Sequence, residues 1–255
     1  MPNNKIRSQD IFQVFLRSFF VQSVWNYRSL ISAGFGICLF PIVKRLYHDP
    51  ASRKAFLDRH LKYFNAHPYM ASYALGVSIH LEEALAAGDA AAGKKLDRVK
   101  ELLVGILGAI GDKLFWLTVK PYSLIIGMAG LMIADTPAGW AFALLIAFAV
   151  YNVPHLYLRY KGIIEGYQYG VDIYKLLGEK KFSILQRYYA FFGVIAFLLF
   201  LAFLIAKISM ESPINMGVMI GALILSGLIY HFRQSCYLTI IVTLAVSIIT
   251  GLLFL

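Results

Sequence analysis

Apolar side chains recur at helical spacing from the start of the chain. Ile11, Val14, Phe15 and Phe19 form one stripe over residues 8–30, and Phe12, Leu16 and Phe20 widen it. Asp10, Gln13 and Arg17 make a narrow polar strip opposite, which predicts an amphipathic helix lying on a membrane surface. The apolar run 35–39 is too short to span and stops at Pro41. Asp49 is placed to cap a second helix over 51–65, with Pro50 at its first position and Pro68 beyond its end. A third helix is predicted over 68–87, closed by Gly88, and residues 88–100 read as an exposed, charged connector.

After Lys100 the pattern changes. Residues 102–119 are apolar but carry Gly105, Gly108, Gly111, Asp112 and Lys113. A Gly-Asp-Lys run is costly against lipid, so this stretch is predicted to be a re-entrant segment packed in protein. Clearer spans are expected at 121–134, 138–157, 188–206, 214–230 and 237–255, the first two paired as a hairpin through Asp135-Thr136-Pro137. Residues 159–187 read as a basic connector. The expected fold is an all-α integral membrane protein: amphipathic N-terminal helices, a re-entrant hairpin and about five C-terminal transmembrane helices. It divides into a basic, largely cytoplasmic or interfacial region over 1–100 and a membrane-embedded region over 101–255.

Composition agrees. Only 15% of the residues are charged and 59% are hydrophobic, against about 25% charged in soluble domains. Residues 1–100 hold 14 of the 24 Lys and Arg, and the turn at 135–139 holds none. Both basic regions are therefore expected in the cytoplasm and the C-terminus outside. The net charge of +10 then reflects basic cytoplasmic faces, not a nucleic-acid partner. Cys38 and Cys236 sit in apolar settings and read as small hydrophobes.

Few motifs carry chemistry. Gly88 to Lys94 nearly matches a phosphate loop, but Lys95 stands where Ser or Thr would hold magnesium, and no strand precedes it. The histidines at 48, 60, 67, 80, 155 and 231 lack metal-ligand spacing and read as packing or interfacial residues. Glu82 and Glu83 read as a solvated helix end. Gly162, Gly166 and Gly170 form a flat helical groove, which fits either internal packing or a partner subunit. Asp112, Lys113 and Lys120 bracket Phe115-Trp116. Ionisable groups at membrane depth beside aromatic faces suit sugar contact, and equally a local ion pair.

The order of residues resembles a known family. Val14-Phe15-Leu16-Arg17-Ser18, Gln22, Trp25-Asn26-Tyr27, Gly34-Phe35, Pro41 and Arg45-Leu46-Tyr47 look like the N-terminal signature of mannose/fructose/sorbose phosphotransferase IID subunits. The likeness continues through Arg59-His60-Leu61, Phe64-Asn65, Pro68, Leu75-Gly76-Val77 and Leu81-Glu82-Glu83. It resumes at Gly111-Asp112, Phe115-Trp116, Thr118 and Pro121, and ends in Arg159-Tyr160, Gly162, Gly166-Tyr167, Gly170 and Asp172-Ile173.

The resemblance implies a non-catalytic subunit, with no cofactor and no phosphorylated residue, in the bacterial inner membrane. It would pair with a IIC membrane subunit, the IIC–IID pairs assembling as trimers, to carry a hexose. Soluble IIA and IIB components would supply the phosphate. Substrate-contact candidates are then Asp112, Lys113, Trp116, Thr118 and Asn65. Partner-interface candidates are Trp25, Asn26, Gly162, Gly166 and Gly170, and membrane lipid is a further expected partner. Where the family carries prolines in its hairpin, this chain has Ile106 and Lys113. That departure leaves open a second reading, a IID-like scaffold that regulates the system rather than moving sugar.

Overall fold

A computed structural model describes residues 5–178, 180–211 and 213–254, and the described chain is helical apart from turns and two isolated bridges. Its packing separates into two units, one running to Gly193 and one beginning at Val194.

In the first unit, α1 spans Ser8–Ser18. It starts where the Asp10 carboxylate accepts the Arg7 N–H at 3.0 Å, and stops where the Ser18 hydroxyl donates to the Phe15 carbonyl at 2.6 Å. The amphipathic helix expected to reach residue 30 therefore ends early. The Asn26 side-chain oxygen accepts the N–H groups of Arg28 and Ser29, and Leu30 takes a positive φ of 55°. A side chain that bonds the backbone two or three residues on offers an alternative to helix. Asp10 of the polar strip does not face solvent either, because it is buried and pairs with Arg45 at 3.1 Å.

Two short helices follow, α2 at Ser32–Cys38 and α3 at Phe40–Leu46. Helix α4, Pro50–His60, starts as expected, with Asp49 accepting the Ser52 N–H at 2.8 Å. It stops before Asn65 because the Phe64 carbonyl is drawn into a bond from the Ile31 N–H, at 3.2 Å.

Helix α5, Ala71–Ala86, is the spine of the unit, with Ala71 through Ile79 buried without interruption. A helix buried on all sides needs neighbours all round. It ends at Gly88, whose φ of 108° suits only glycine well.

Most of the expected connector 88–100 is helix. Helix α6 runs Ala91–Gly111, and its buried positions Ala92, Leu96, Lys100, Leu103 and Leu107 form one stripe. The stripe is masked in the sequence because Lys100 belongs to it. Its ammonium donates to the Arg59 carbonyl at 3.2 Å and lies over the Phe35 ring at 5.1 Å.

Over 102–119, the stretch expected to be a re-entrant segment, the chain is continuous helix. Helix α6 continues through a π-helical segment, Asp112–Val119, into α7, Lys120–Ile133. The widened turn takes in the Asp-Lys pair without breaking the helix. The hairpin expected next is present. Thr136 caps α8, Pro137–Tyr169, by accepting the Gly139 N–H at 3.1 Å, and α7 packs along its first half.

Helix α8 continues past Pro154 into the first part of the expected 159–187 connector, then gives way at Gly170, φ 51°, to a 3₁₀ turn and α9, Ile173–Leu177. Its second half stays helical because α5 covers it. The next helix, α10, is Lys181–Glu211.

In the second unit α11, Pro213–Arg233, packs on α12, Cys236–Phe254, with Ser226 and Thr243 hydroxyls 2.9 Å apart. Among the described residues three helical runs are long and apolar enough to cross a membrane: Ala91–Ile133, Pro137–Leu177 and Lys181–Lys207. Gly217–Phe232 and Cys236–Thr250 are apolar but shorter.

Candidate functional site

The π-helical segment presents two faces. Leu114, Phe115, Thr118 and Val119 turn into the unit, while Asp112, Lys113, Trp116 and Leu117 are exposed, as is Lys120 just beyond. Thr118 spends its hydroxyl on the Lys113 carbonyl at 2.8 Å, so its role here is to brace the wide turn. Among the described ion pairs none involves Asp112, Lys113 or Lys120, so the local salt bridge weighed from sequence does not form. Asn65 is exposed, two residues before a histidine that does reach the segment.

That histidine is His67. Its ring stacks on Phe115, with centroids 5.3 Å apart and planes 17° off parallel, and meets Trp116 edge-on at 5.3 Å. Gly111 allows the approach, since a Cβ there would lie 2.2 Å from the His67 Cβ. Burial, helped by the nearby Arg159 charge, pushes the His67 imidazole down to about 4. The ring is therefore neutral at pH 7. Its Nδ1 accepts the Tyr69 N–H at 3.3 Å, which leaves the proton on Nε2.

Tyr69 carries the contact on to α8. It stacks on His155 at 4.2 Å, and its hydroxyl lies 2.8 Å from that of Tyr151. Asn152 donates to the Phe148 carbonyl at 2.8 Å, so its oxygen faces His155 and accepts from Nε2 at 2.9 Å. One turn further, Arg159 is 3% exposed and has no carboxylate among its described partners. Its guanidinium donates to the Ser18 carbonyl and hydroxyl and lies over Phe19 at 4.8 Å and Tyr69 at 5.2 Å. A continuous set of side chains thus joins the end of α1, the π-helical segment and the middle of α8.

Sequence reading missed a second cluster. Glu82, expected to be solvated, is fully buried. Arg59 grips its carboxylate through Nε and Nη2, both at 2.8 Å, the Tyr47 hydroxyl donates to it at 2.7 Å, and His60 Nε2 lies 3.0 Å away. Burial pushes His60 down to about 4, so it donates as a neutral ring. Burial alone would raise the Glu82 carboxyl, but the bonds from His60 and Arg59 outweigh it and hold it at about 2.

Glu83 accepts the Ile6 N–H at 2.7 Å and the Tyr167 hydroxyl at 2.6 Å. The available signal was spacing, because Glu82 continues the buried stripe Leu75–Ile79 by three and seven residues. With every oxygen engaged inside the fold, the cluster ties α3 and α4 to α5 and offers no open chemistry.

The glycine groove is filled from within. A Cβ on Gly162 would lie 2.4 Å from Ser72 Oγ, one on Gly166 2.3 Å from the Tyr73 carbonyl, and one on Gly170 2.5 Å from the His80 ring. Of its two readings, internal packing against α5 is the one realised. Asn26 is occupied with its own turn, whereas Trp25 is 48% exposed and meets the more exposed Tyr27 edge-on. Among the described residues no three His, Cys, Asp or Glu side chains group as metal ligands.

Comparison with known proteins gives one consistent result. A family model described as the PTS system mannose/fructose/sorbose family IID component matches residues 5–224. The mannose-specific EIID component of Escherichia coli K12 is 36% identical over 175 residues, 68% of this chain and 60% of that protein. The sorbose-specific EIID component of Klebsiella pneumoniae is 32% identical over 187 residues, 73% of this chain and 65% of that one. The match therefore spans about 60% of the length of the first of these relatives. A solved structure of the mannose transporter ManYZ in complex with microcin E492 aligns at a TM-score of 0.61 and 33% identity. It covers 76% of this chain and 69% of the matched one.

Proposed function

This chain belongs to the mannose/fructose/sorbose IID family of phosphotransferase-system components, and from that premise we propose that it forms the IID half of a IIC–IID pair that carries a hexose across the inner membrane. Phosphorylation is supplied by IIA and IIB components, and this chain contributes no phosphorylated group. The basic N-terminal hundred residues face the cytoplasm, the C-terminal end faces outward, and the pairs assemble further, as trimers.

One observation carries the reading. Asp112, Lys113 and Trp116 share the exposed face of a π-helical segment and form no described ion pair, although the segment lies within a run apolar enough to span. An uncommitted carboxylate and ammonium on so apolar a run are costly unless another protein surface or a polar ligand meets them. A IIC subunit closing over this face makes a cleft in which Trp116 stacks on a sugar ring. Asp112 accepts from the sugar's hydroxyls and Lys113 donates to them. The phenolic, imidazole and guanidinium groups behind Phe115 hold the segment in place, and the π-helical turn is its adjustable part.

The test is uptake and phosphorylation of a hexose panel in cells carrying this chain with cognate IIC, IIA and IIB. Native chain should accumulate phosphorylated hexose, and Asp112→Asn at equal membrane abundance should lower the rate at least tenfold. Uptake that persists undiminished in Asp112→Asn removes this face from the sugar path. No uptake of any hexose despite assembly with IIC would overturn the transport reading.

A further inference from the structure

A groove of about 440 Å³ runs between α7 and the first half of α8. It exists because the two helices touch at small residues: a Cβ on Gly127 would lie 3.0 Å from the Ala147 Cβ, and one on Gly130 2.6 Å from the Ala143 Cβ. Larger neighbours such as Leu124, Met128 and Phe148 stand up beside that contact as walls. The polar lining is confined to one end, where the start of α7 brings Lys120 and Ser123 beside Tyr151 and Asn152 of the antiparallel α8. From Ser123 to Leu131 the groove is about 12 Å long at 1.5 Å per helical residue.

The hydrogen bonds decide what this groove suits. Ser123 donates to the Lys120 carbonyl at 2.8 Å, and Asn152 is spent on Phe148 and His155. Tyr151 is spent on Tyr69. A hexose needs several free donors and acceptors and would find them committed. The remaining polar group is the Lys120 ammonium, which is exposed and has no described carboxylate partner. One uncommitted cation at the mouth of an apolar trough complements an amphiphile with one anionic head and one apolar tail.

The geometry points to a binding site for an anionic phospholipid. One acyl chain lies along Leu124, Met128 and Phe148, and the headgroup phosphate pairs with Lys120. The lipid seals the lipid-facing side of the hairpin beside the π-helical segment. A lipid is also the occupant a membrane supplies in excess, so modest affinity fills the groove.

The probes are phosphatidylglycerol and phosphatidylcholine of matched acyl chains, added in turn to the purified full chain in detergent and counted as retained adducts by native mass spectrometry. Native chain should retain phosphatidylglycerol about fivefold over phosphatidylcholine, the effect of one cation at a lipid phosphate. Lys120→Gln should abolish that preference, and Lys120→Arg should keep it. Met128→Trp, which fills the trough, should reduce adducts of both lipids.

Equal retention of the two lipids by the native chain overturns the proposal, as does retention unmoved by Lys120→Gln and Met128→Trp. So does loss of the lipid on co-purification with IIC, accompanied by a cross-link from Leu124→Cys to IIC. In that case a partner helix covers the groove.

Discussion

The backbones of Gly76 on α5 and Gly166 on α8 are in contact: a Cβ on Gly76 would lie 2.8 Å from the Gly166 Cα and 2.2 Å from the Ile163 carbonyl oxygen. No other pair of helices in the chain shares so extensive a contact as α5 and α8 among the described residues. The contact fixes where α8, and with it His155 and Arg159, meets the rest of the first unit.

Side chains added at this contact should be costly, because the obstacle is backbone. Gly166→Ala and Gly76→Ala should each lower stability by about 1–3 kcal/mol, the usual range for overpacking. Gly105→Ala and Gly108→Ala point into open space and should gain up to about 1 kcal/mol of helix propensity. Thermal unfolding of the purified chain distinguishes the two groups, and equal effects at all four sites would refute the packing account. If Gly105→Ala or Gly108→Ala instead weakens co-purification with IIC, those glycines face the partner.

The Glu82 cluster should behave as a buried ion pair. Glu82→Gln leaves Arg59 without its carboxylate and should cost about 3–5 kcal/mol. Replacing both residues, as Arg59→Met with Glu82→Met, should recover much of that loss. A double-mutant cycle measures the coupling, and simple additivity of the two changes would argue against it.

Acid should loosen the first unit before it protonates most carboxylates. His60 and His67 are held near 4 in the folded chain, below their ordinary 6.5. Between those values the unfolded chain binds protons that the folded chain refuses, so stability falls as pH drops from 6.5 to 4. Each histidine can contribute about 3 kcal/mol at most over that window, because holding off one proton is worth about 1.4 kcal/mol for each pH step of one.

Glu82 acts lower, because a carboxyl depressed to about 2 stabilises above its ordinary value and loses that contribution as pH falls towards 2. Melting temperatures between pH 7.5 and 4.5 should decline for the native chain and decline less for His60→Gln. A flat native profile would show that the rings are not held neutral.

Arg159 should matter for the docking of α1. Its contacts with Ser18 and Phe19 join residues far apart in sequence. Arg159→Met removes these bonds and should expose the neighbouring Arg17 bond to trypsin several-fold faster, while the α5–α8 contact persists. An unchanged cleavage rate would mean that the apolar stripe of α1 alone seats it.

Asp112 should be dispensable for the fold. The residue is exposed and without a described ion-pair partner, so Asp112→Asn should change stability by no more than about 0.5 kcal/mol. A large loss of stability would mean that any uptake defect reports misfolding and not substrate contact.

Some of this protein was legible in its residues alone. The cap at Asp49, the stop at Gly88, the hairpin through Thr136 and Pro137, and the order of apolar runs follow from local rules. A cap, a positive φ or a 3.6-residue stripe is decided within a few residues, and each survived folding. The family was legible too, through ordered motifs whose identity does not depend on knowing what touches what.

Tertiary structure decided the rest. Asp10, Glu82 and Lys100 looked like solvated charges because the partners that bury them, Arg45, Arg59 with His60, and the Arg59 carbonyl, lie 22 to 41 residues away. The groove at Gly162, Gly166 and Gly170 could serve α5 or another chain, and only packing chose α5. The segment at Asp112 read as re-entrant because Gly-Asp-Lys is costly in lipid. The folded chain carries the Asp-Lys pair on the exposed face of a π-helical turn braced by Thr118 and His67, an arrangement that depends on contacts no local pattern encodes.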